Sequence, residues 1–161
     1  MISICFVCLG NICRSPTAEG VMNHILKEQG LTDQFRIESA GTSSWHIGDP
    51  PDERSESVAA ERGIPLTSRS SQFHSRDFSR FDYVIAMDNR NRSSLEQIAP
   101  NEEARKKIHL LRKFDSNSNP RDDVPDPYYG GAQGFDRVLD ICIAGCEGLL
   151  LHLKSEHKIG E

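Results

Sequence analysis

Apolar positions along this chain alternate between two kinds of pattern. Short, continuous apolar runs read as buried strands of a parallel sheet: "ISICFVC" over residues 2–8, ended by Leu9-Gly10-Asn11, then "FRIESAGT" (35–42), "FDYVIAMD" (81–88) and "KKIHLLRKF" (106–114). Between them the spacing turns helical. From Ser15-Pro16, where the missing proline N–H is not needed in a first turn, Val21, Ile25 and Leu26 recur until Gly30. "DERSESVAAERGI" (52–64) predicts a second helix stopped by Gly63 and Pro65, and "NRNRSSLEQIA" (89–99) a third ending at Pro100. "FDRVLDICIAGCEGLLLHLKSE" (135–156) predicts a long amphipathic closing helix. Residues 115–134 have no regular pattern and many Pro, Gly, Asp and Asn. Loops longer than about 12–15 residues inside a compact domain are usually functional or disordered.

Strands alternating with helices predict an α/β fold. The expectation is a single doubly wound domain over residues 1–161, with a four-stranded parallel sheet and helices on both faces. Such sheets bind ligands beyond the carboxyl ends of their strands, near a switch in strand order. The loop after Cys8, following the first strand, occupies that place.

Composition narrows the partners. A net charge of −5 argues against a nucleic-acid binder or a polybasic membrane reader. No apolar run approaches the roughly 20 residues that cross a bilayer. The stretch "MISICFVCLG" lacks the positive flank of a signal peptide, so a cytoplasmic location is expected. Cys5, Cys8, Cys13, Cys142 and Cys146 are odd in number and make a poor disulfide framework. "CFVC" has a zinc-like gap, but no second pair completes a tetrahedron; neither a metal nor a cofactor is expected.

The candidate chemistry begins at Cys8. Five residues separate it from Arg14, and the loop between them curls into a helix start. A helix N-terminus carries about half a positive charge and binds phosphate. Arg14 adds a planar fork suited to paired oxygens. In such a field a thiol falls from a pKa of about 8.5 into the range of about 3.5–7.5, giving a thiolate nucleophile. Ser15 is placed to donate to the sulfur, and Asn11 to lock the loop through its side-chain amide while tolerating a left-handed turn. A bare C-x5-R is common by chance; its strand-to-helix setting, with Gly10 and Ser15-Pro16, is what singles it out. In the long loop, Asp126 between Pro125 and Pro127 is a candidate proton donor, with solvated loop charge as the alternative reading. Asp122 and Asp123 are read as loop residues. Tyr128 and Tyr129 on the same segment would make aromatic walls able to sandwich a flat ring.

"CLGNICRSPTAE" (Cys8 to Glu19), "SAGT" (39–42), "FDYVIAMD" and "VPDPYYG" (124–130), in this order, resemble the low-molecular-weight protein tyrosine phosphatases over essentially the whole chain. The resemblance implies hydrolysis of phosphotyrosine and small aryl phosphates through a phosphocysteine. Cys8 would be the nucleophile and Asp126 the general acid, then base. Arg14 and the loop Leu9, Gly10, Asn11, Ile12, Cys13 and Ser15 would hold the phosphate. It also implies that Trp45, otherwise readable as a loop anchor on the core, is a pocket wall, and that Ser39 supports the loop. Ile12 stands where related arginine phosphatases tend to carry threonine, which favours an aryl substrate. In the family a cysteine at the place of Cys13 can form a reversible disulfide with the catalytic sulfur; a packed thiol is the alternative. The implied partners are phosphotyrosine-containing proteins; a monomer is the default expectation, with oligomeric state left open by the sequence.

One stretch departs from the family pattern. A histidine and then an alanine-arginine pair often follow "GIPL", whereas this chain has "TSRSSQF". Ser68 is expected to take over that histidine's contact with Asn11 or leave it to water, and His74 is given no such role. An arsenate reductase would need further cysteines after the third strand, where "MDNRNRSSLEQ" has none. A redox pair at "CFVC" is disfavoured because Cys5 and Cys8 point to opposite faces of a strand.

Overall fold

A computed structural model describes residues 1–129 and 131–160, the side chains of Tyr129 and Ala132 excepted. The strands are β1 (Ile2–Cys8), β2 (Phe35–Gly41), β3 (Tyr83–Ala86) and β4 (Ile108–Leu110). They form one sheet in the order β2-β1-β3-β4, every pair parallel. The helices are α1 (Arg14–Glu28), α2 (Glu53–Glu61), α3 (Asn89–Ile98), α4 (Glu102–Arg105) and α5 (Ala132–His157).

The period of two along β1 divides the core. Ile4, Phe6 and Cys8 face Ala18, Met22 and Leu26 of α1 and Leu139, Cys142 and Leu149 of α5. Cys5 and Val7 face the other way, toward Phe78, Leu95 of α3 and Ala104 of α4. Helices therefore cover both faces, as the strand pattern predicts, and Cys5 and Cys8 lie in opposite layers. Each large side chain so buried contributes about 1.5–3 kcal/mol from area removed from water. Along α5, Gly148 allows the 3-10 turn Leu111–Phe114 to touch the helix backbone: a Cβ at this position would lie 1.9 Å from the Phe114 carbonyl oxygen.

Several boundaries differ from expectation. The fourth strand stops at Leu110 instead of running to Phe114. Leu110 packs in the layer of α3 while Leu111 belongs to that of α5, and the 3-10 turn wraps the chain around the sheet edge between them. The short α4 was invisible as an apolar pattern; it exists because Asn101 caps it, accepting from the Ala104 N–H at 2.9 Å. At the head of the 3-10 helix Ser75–Arg80 the Asp77 carboxylate accepts from the His74 backbone N–H at 2.7 Å. The long loop is pinned despite its irregular sequence. Asp123 Oδ1 accepts from the Asn89 backbone N–H at 2.8 Å, and the Val124 N–H donates to the Met87 carbonyl at 2.8 Å.

Candidate active site

β1 lies between β2 and β3, so the chain order switches at its carboxyl end, and the loop 9–13 leaves from that point into α1. Carbonyls of the loop are drawn outward. Cys8 O accepts from the Thr42 N–H at 2.9 Å, Leu9 O from the Ser43 N–H at 3.0 Å, and Ile12 O from the Asp52 N–H at 2.7 Å. Gly10 O takes the Ser70 hydroxyl at 2.9 Å. Gly41 makes room for this curl, since a Cβ there would meet Leu9 O at 2.6 Å. Asn11, with φ 58°, turns the loop in the left-handed region and aims its own N–H inward, at Cys8 Sγ, 3.3 Å away.

The Asn11 side chain is the hub. Its Nδ2 donates to Ser15 Oγ at 2.8 Å and Ser39 Oγ at 3.0 Å, and its Oδ1 accepts from the Ser71 N–H at 3.0 Å. Ser39 in turn donates to Glu19 Oε1 at 2.5 Å. The contact expected of Ser68 is thus made by the backbone of Ser71, whose segment runs beside the loop through the Gly41–Gln72 bridge. Burial pushes the Glu19 carboxyl above its usual range, partly offset by the Ser39 hydrogen bond.

Cys8 Sγ lies at the floor, 3% exposed and 2.9 Å from Ser15 Oγ. Ser15 Oγ accepts from Asn11, and its own hydrogen has two acceptors within reach, Cys8 Sγ and the more distant Ala40 carbonyl at 3.4 Å. Arg14, 4% exposed, opens α1. Its Nη1 donates to Asp88 Oδ2 at 2.6 Å and to Val124 O at 3.0 Å. Burial opposes the guanidinium charge, but negative charge at Cys8 and the Asp88 carboxylate outweigh it and raise the pKa. Among the described residues the rest of the fork has no protein partner, and no side chain caps the start of α1. Both features suit an oxyanion.

Above the sulfur opens a cleft of about 240 Å³. Leu9, Gly10, Ile12 and Cys13 line its lower part, and Trp45, His46, Asp126 and Tyr128 its rim. Trp45 is 73% exposed and Tyr128 57%, so both stand out from the body as walls. The alternative of Trp45 as a core anchor does not fit that exposure. Asp126 is exposed and accepts from the Tyr128 N–H at 3.0 Å, at the head of the 3-10 turn Pro127–Tyr129. Its height is set by Val124, two residues earlier, bonded to both Met87 and Arg14. The Arg54 guanidinium, gripped by Asp52 at 3.0–3.1 Å, lies 5.4 Å from the Tyr128 ring centroid and 4.5 Å from that of Phe135. The side chain of Tyr129 lies outside the described residues.

Burial, then the charge of Asp52, pushes Cys13 up to about 12; burial foremost, with smaller contributions from neighbouring charges, raises Cys142 to about 12 and Cys5 and Cys146 upward. Cys142 and Cys146 pack beneath α1, against the carbonyls of Arg14 and Ala18. Among the described residues no cluster of three or more metal-ligating side chains occurs.

Sequence reasoning did not single out Asp88, Glu19, Ser70, Ser71 or His46. Asp88 carried one local signal, the Asp88-x-x-Asn91 capping box of α3. Glu19 lay inside a quoted motif without a role, and the serines became visible only as a departure from a pattern.

The sequence model for low molecular weight phosphotyrosine protein phosphatases matches residues 3–159. A low molecular weight protein-tyrosine-phosphatase of Streptomyces coelicolor is 42% identical over 95% of this chain and 94% of its own. The crystal structure of a protein tyrosine phosphatase from Entamoeba histolytica superposes with a TM-score of 0.92 at 42% identity, covering 98% of this chain and 99% of that one. The drosophila arginine phosphatase has a TM-score of 0.87 at 33% identity, covering 95% and 98%. A parallel sheet with its anion loop after β1, matched along nearly all its length in sequence and fold, makes this chain a member of the low molecular weight phosphotyrosine protein phosphatase family.

Proposed function

We propose that the protein hydrolyses phosphotyrosine in proteins, and small aryl phosphates, through a phosphocysteine formed on Cys8. Cys8 Sγ attacks phosphorus in line: a P–S bond forms as the P–O bond to the tyrosine breaks, and Asp126 gives its proton to the departing oxygen. Asp126, now a carboxylate, takes a proton from water. The water oxygen attacks phosphorus, the P–S bond breaks, and inorganic phosphate leaves with the thiolate restored. Covalent catalysis splits one hard displacement into two. Arg14 and the loop amides hold the equatorial oxygens, and preorganised donors of this kind are worth about 10²–10³ in rate each. Ser15 and the Asn11 amide hold the sulfur as nucleophile and as leaving group.

The observation that carries this reading is the convergence on one sulfur. Ser15 Oγ lies 2.9 Å from Cys8 Sγ, the Asn11 N–H points at it from 3.3 Å, and Arg14 is fixed beside it by Asp88. Trp45 and Tyr128 as walls, with Ile12 between, support a flat aryl group over a guanidino group. The same reading takes residues 1–161 as one catalytic domain, working as a cytoplasmic monomer, with Cys13 as a packed thiol that oxidation can recruit.

Hydrolysis of p-nitrophenyl phosphate in EDTA tests the proposal. Wild type should turn over, Cys8→Ser should not, and Asp126→Ala should lose about 10²–10⁴ in rate with inorganic phosphate inhibition nearly unchanged. Turnover by Cys8→Ser, or faster hydrolysis of phosphoarginine than of a phosphotyrosine peptide, would overturn it.

A further inference from the structure

On the far side of α1 lies a second cavity, of about 470 Å³, between that helix and the segment after α2. Glu19, Asn23 and His24 form one wall and Thr67 and Ser68 the other. Gly20 lets the walls meet, since a Cβ there would lie 2.4 Å from Leu66 Cδ2. His24 and Glu28 are paired with each other at 3.2 Å, which leaves Glu19 as the carboxylate without a cation. Its Oε1 receives the Ser39 hydroxyl, and among the described residues no donor reaches Oε2.

Glu19 belongs to the cavity and to the active site at once. From its Oε1 a continuous chain runs through Ser39, Asn11 and Ser15 to Cys8 Sγ, with links of 2.5, 3.0, 2.8 and 2.9 Å. The chain has a direction. An ionised Glu19 can only accept, so Ser39 donates to it and offers its lone pairs to the Asn11 amide. Together with the Ser71 N–H on Oδ1, that holds the amide with Nδ2 toward Ser15, whose hydroxyl lies 2.9 Å from Cys8 Sγ and 3.4 Å from Ala40 O. A protonated Glu19 can donate to Ser39 instead, which frees the Ser39 hydrogen and weakens what Ser39 offers Asn11, whose Oδ1 stays on the Ser71 N–H. Burial pushes the Glu19 carboxyl above its usual range, and a cation paired with it would act in the opposite direction.

We propose that this cavity is a regulatory site for a small organic cation with an N–H donor, an amine or protonated azole, which pairs with Glu19 and tightens the loop under Cys8. Asn23, Thr67 and Ser68 supply the neutral hydrogen-bonding partners of such a guest. Lys27, on the same wall, disfavours a polycation. The effect on turnover rests on the phosphatase reading; the binding does not.

The probes are imidazole and methylammonium at fixed pH and ionic strength. Each should raise kcat for p-nitrophenyl phosphate saturably, by about fivefold, the low end of ordinary coupling between sites. Each should also shift the amide resonances of Asn23 and Gly63 over the same concentration range. Ser68→Phe, which fills the cavity, should keep basal turnover and lose both responses; Glu19→Gln should lose the rate response. A rate increase that persists in Ser68→Phe would place the probes at the phosphoenzyme and overturn the proposal, as would cavity amides that do not move. Were the wild type inactive on every phosphate ester, the phosphatase reading would fail, while the amide shifts would still decide whether the cavity binds.

Discussion

Arg14 Nη1 lies 2.6 Å from Asp88 Oδ2, although 74 residues separate them. The other oxygen of the same carboxylate caps α3, accepting from the Asn91 N–H at 2.7 Å. One side chain therefore ties the anion loop after β1 to the helix after β3, and holds the fork in register with the sulfur. Asp88→Asn keeps the shape and the cap but removes the charge. We expect kcat/KM to fall by about 10–100-fold, the usual scale for a misplaced catalytic group, with weaker inhibition by inorganic phosphate. Steady-state kinetics with phosphate as inhibitor checks both; an unchanged kcat/KM would mean that Arg14 needs no partner.

Ser70 links two walls of the site. Its hydroxyl holds Gly10 O at 2.9 Å, while its backbone exchanges hydrogen bonds with Gly48 and Asp49 at 2.8 Å on the segment that carries Trp45 and His46. Ser70→Ala should lower kcat/KM by up to about tenfold, the worth of one buried hydrogen bond, and Ser70→Thr should restore most of it. A merely structural role would lower the melting temperature without this split between alanine and threonine.

Much of the site could be read from one contiguous stretch. Cys8, Asn11, Arg14 and Ser15 follow one another through a strand end, a turn and a helix start, so local rules sufficed to group them. Asp126 was marked by its prolines, and the four apolar runs gave the sheet. What stayed hidden is what the parallel crossovers bring together: Arg14 with Asp88, Gly10 with Ser70, and Asn11 with Ser71, pairs 60 or more residues apart. Ser68 was the natural guess for supporting Asn11 because a side chain was expected to do it. A backbone N–H does the work, and such groups leave no mark on a sequence. The overlong fourth strand has a similar cause, for Leu111 is apolar on account of α5 and not of β4.

Gly148 marks the tightest approach between α5 and the turn 111–114. Gly148→Ala would set a methyl 1.9 Å from the Phe114 carbonyl oxygen, a clash with backbone that no rotamer relieves. We expect a loss of about 3 kcal/mol, at the upper end for overpacking, and a melting temperature lower by about 6–12 °C. Calorimetry checks this, and kcat of the folded fraction should be unaffected because the contact is remote from Cys8.

Stability should respond to pH through His109. Burial, then Lys113 and His152, push its imidazole down from 6.5 to about 4. The unfolded chain therefore takes up a proton between these values that the folded chain refuses, so stability falls as pH drops from about 6.5 to 4 and this contribution levels off below. His109→Gln should flatten the melting-temperature profile across that window. A profile of equal slope in both proteins would show that other groups are responsible.

The central claim is that phosphate passes through the sulfur of Cys8. The direct measurement is rapid acid quench during turnover of a phosphotyrosine peptide, followed by mass spectrometry of the proteolysed enzyme. The account predicts a phosphorylated peptide spanning Cys8, absent in Cys8→Ser. Steady turnover with that peptide unmodified at every quench time, or phosphate found on a carboxylate instead, would contradict it.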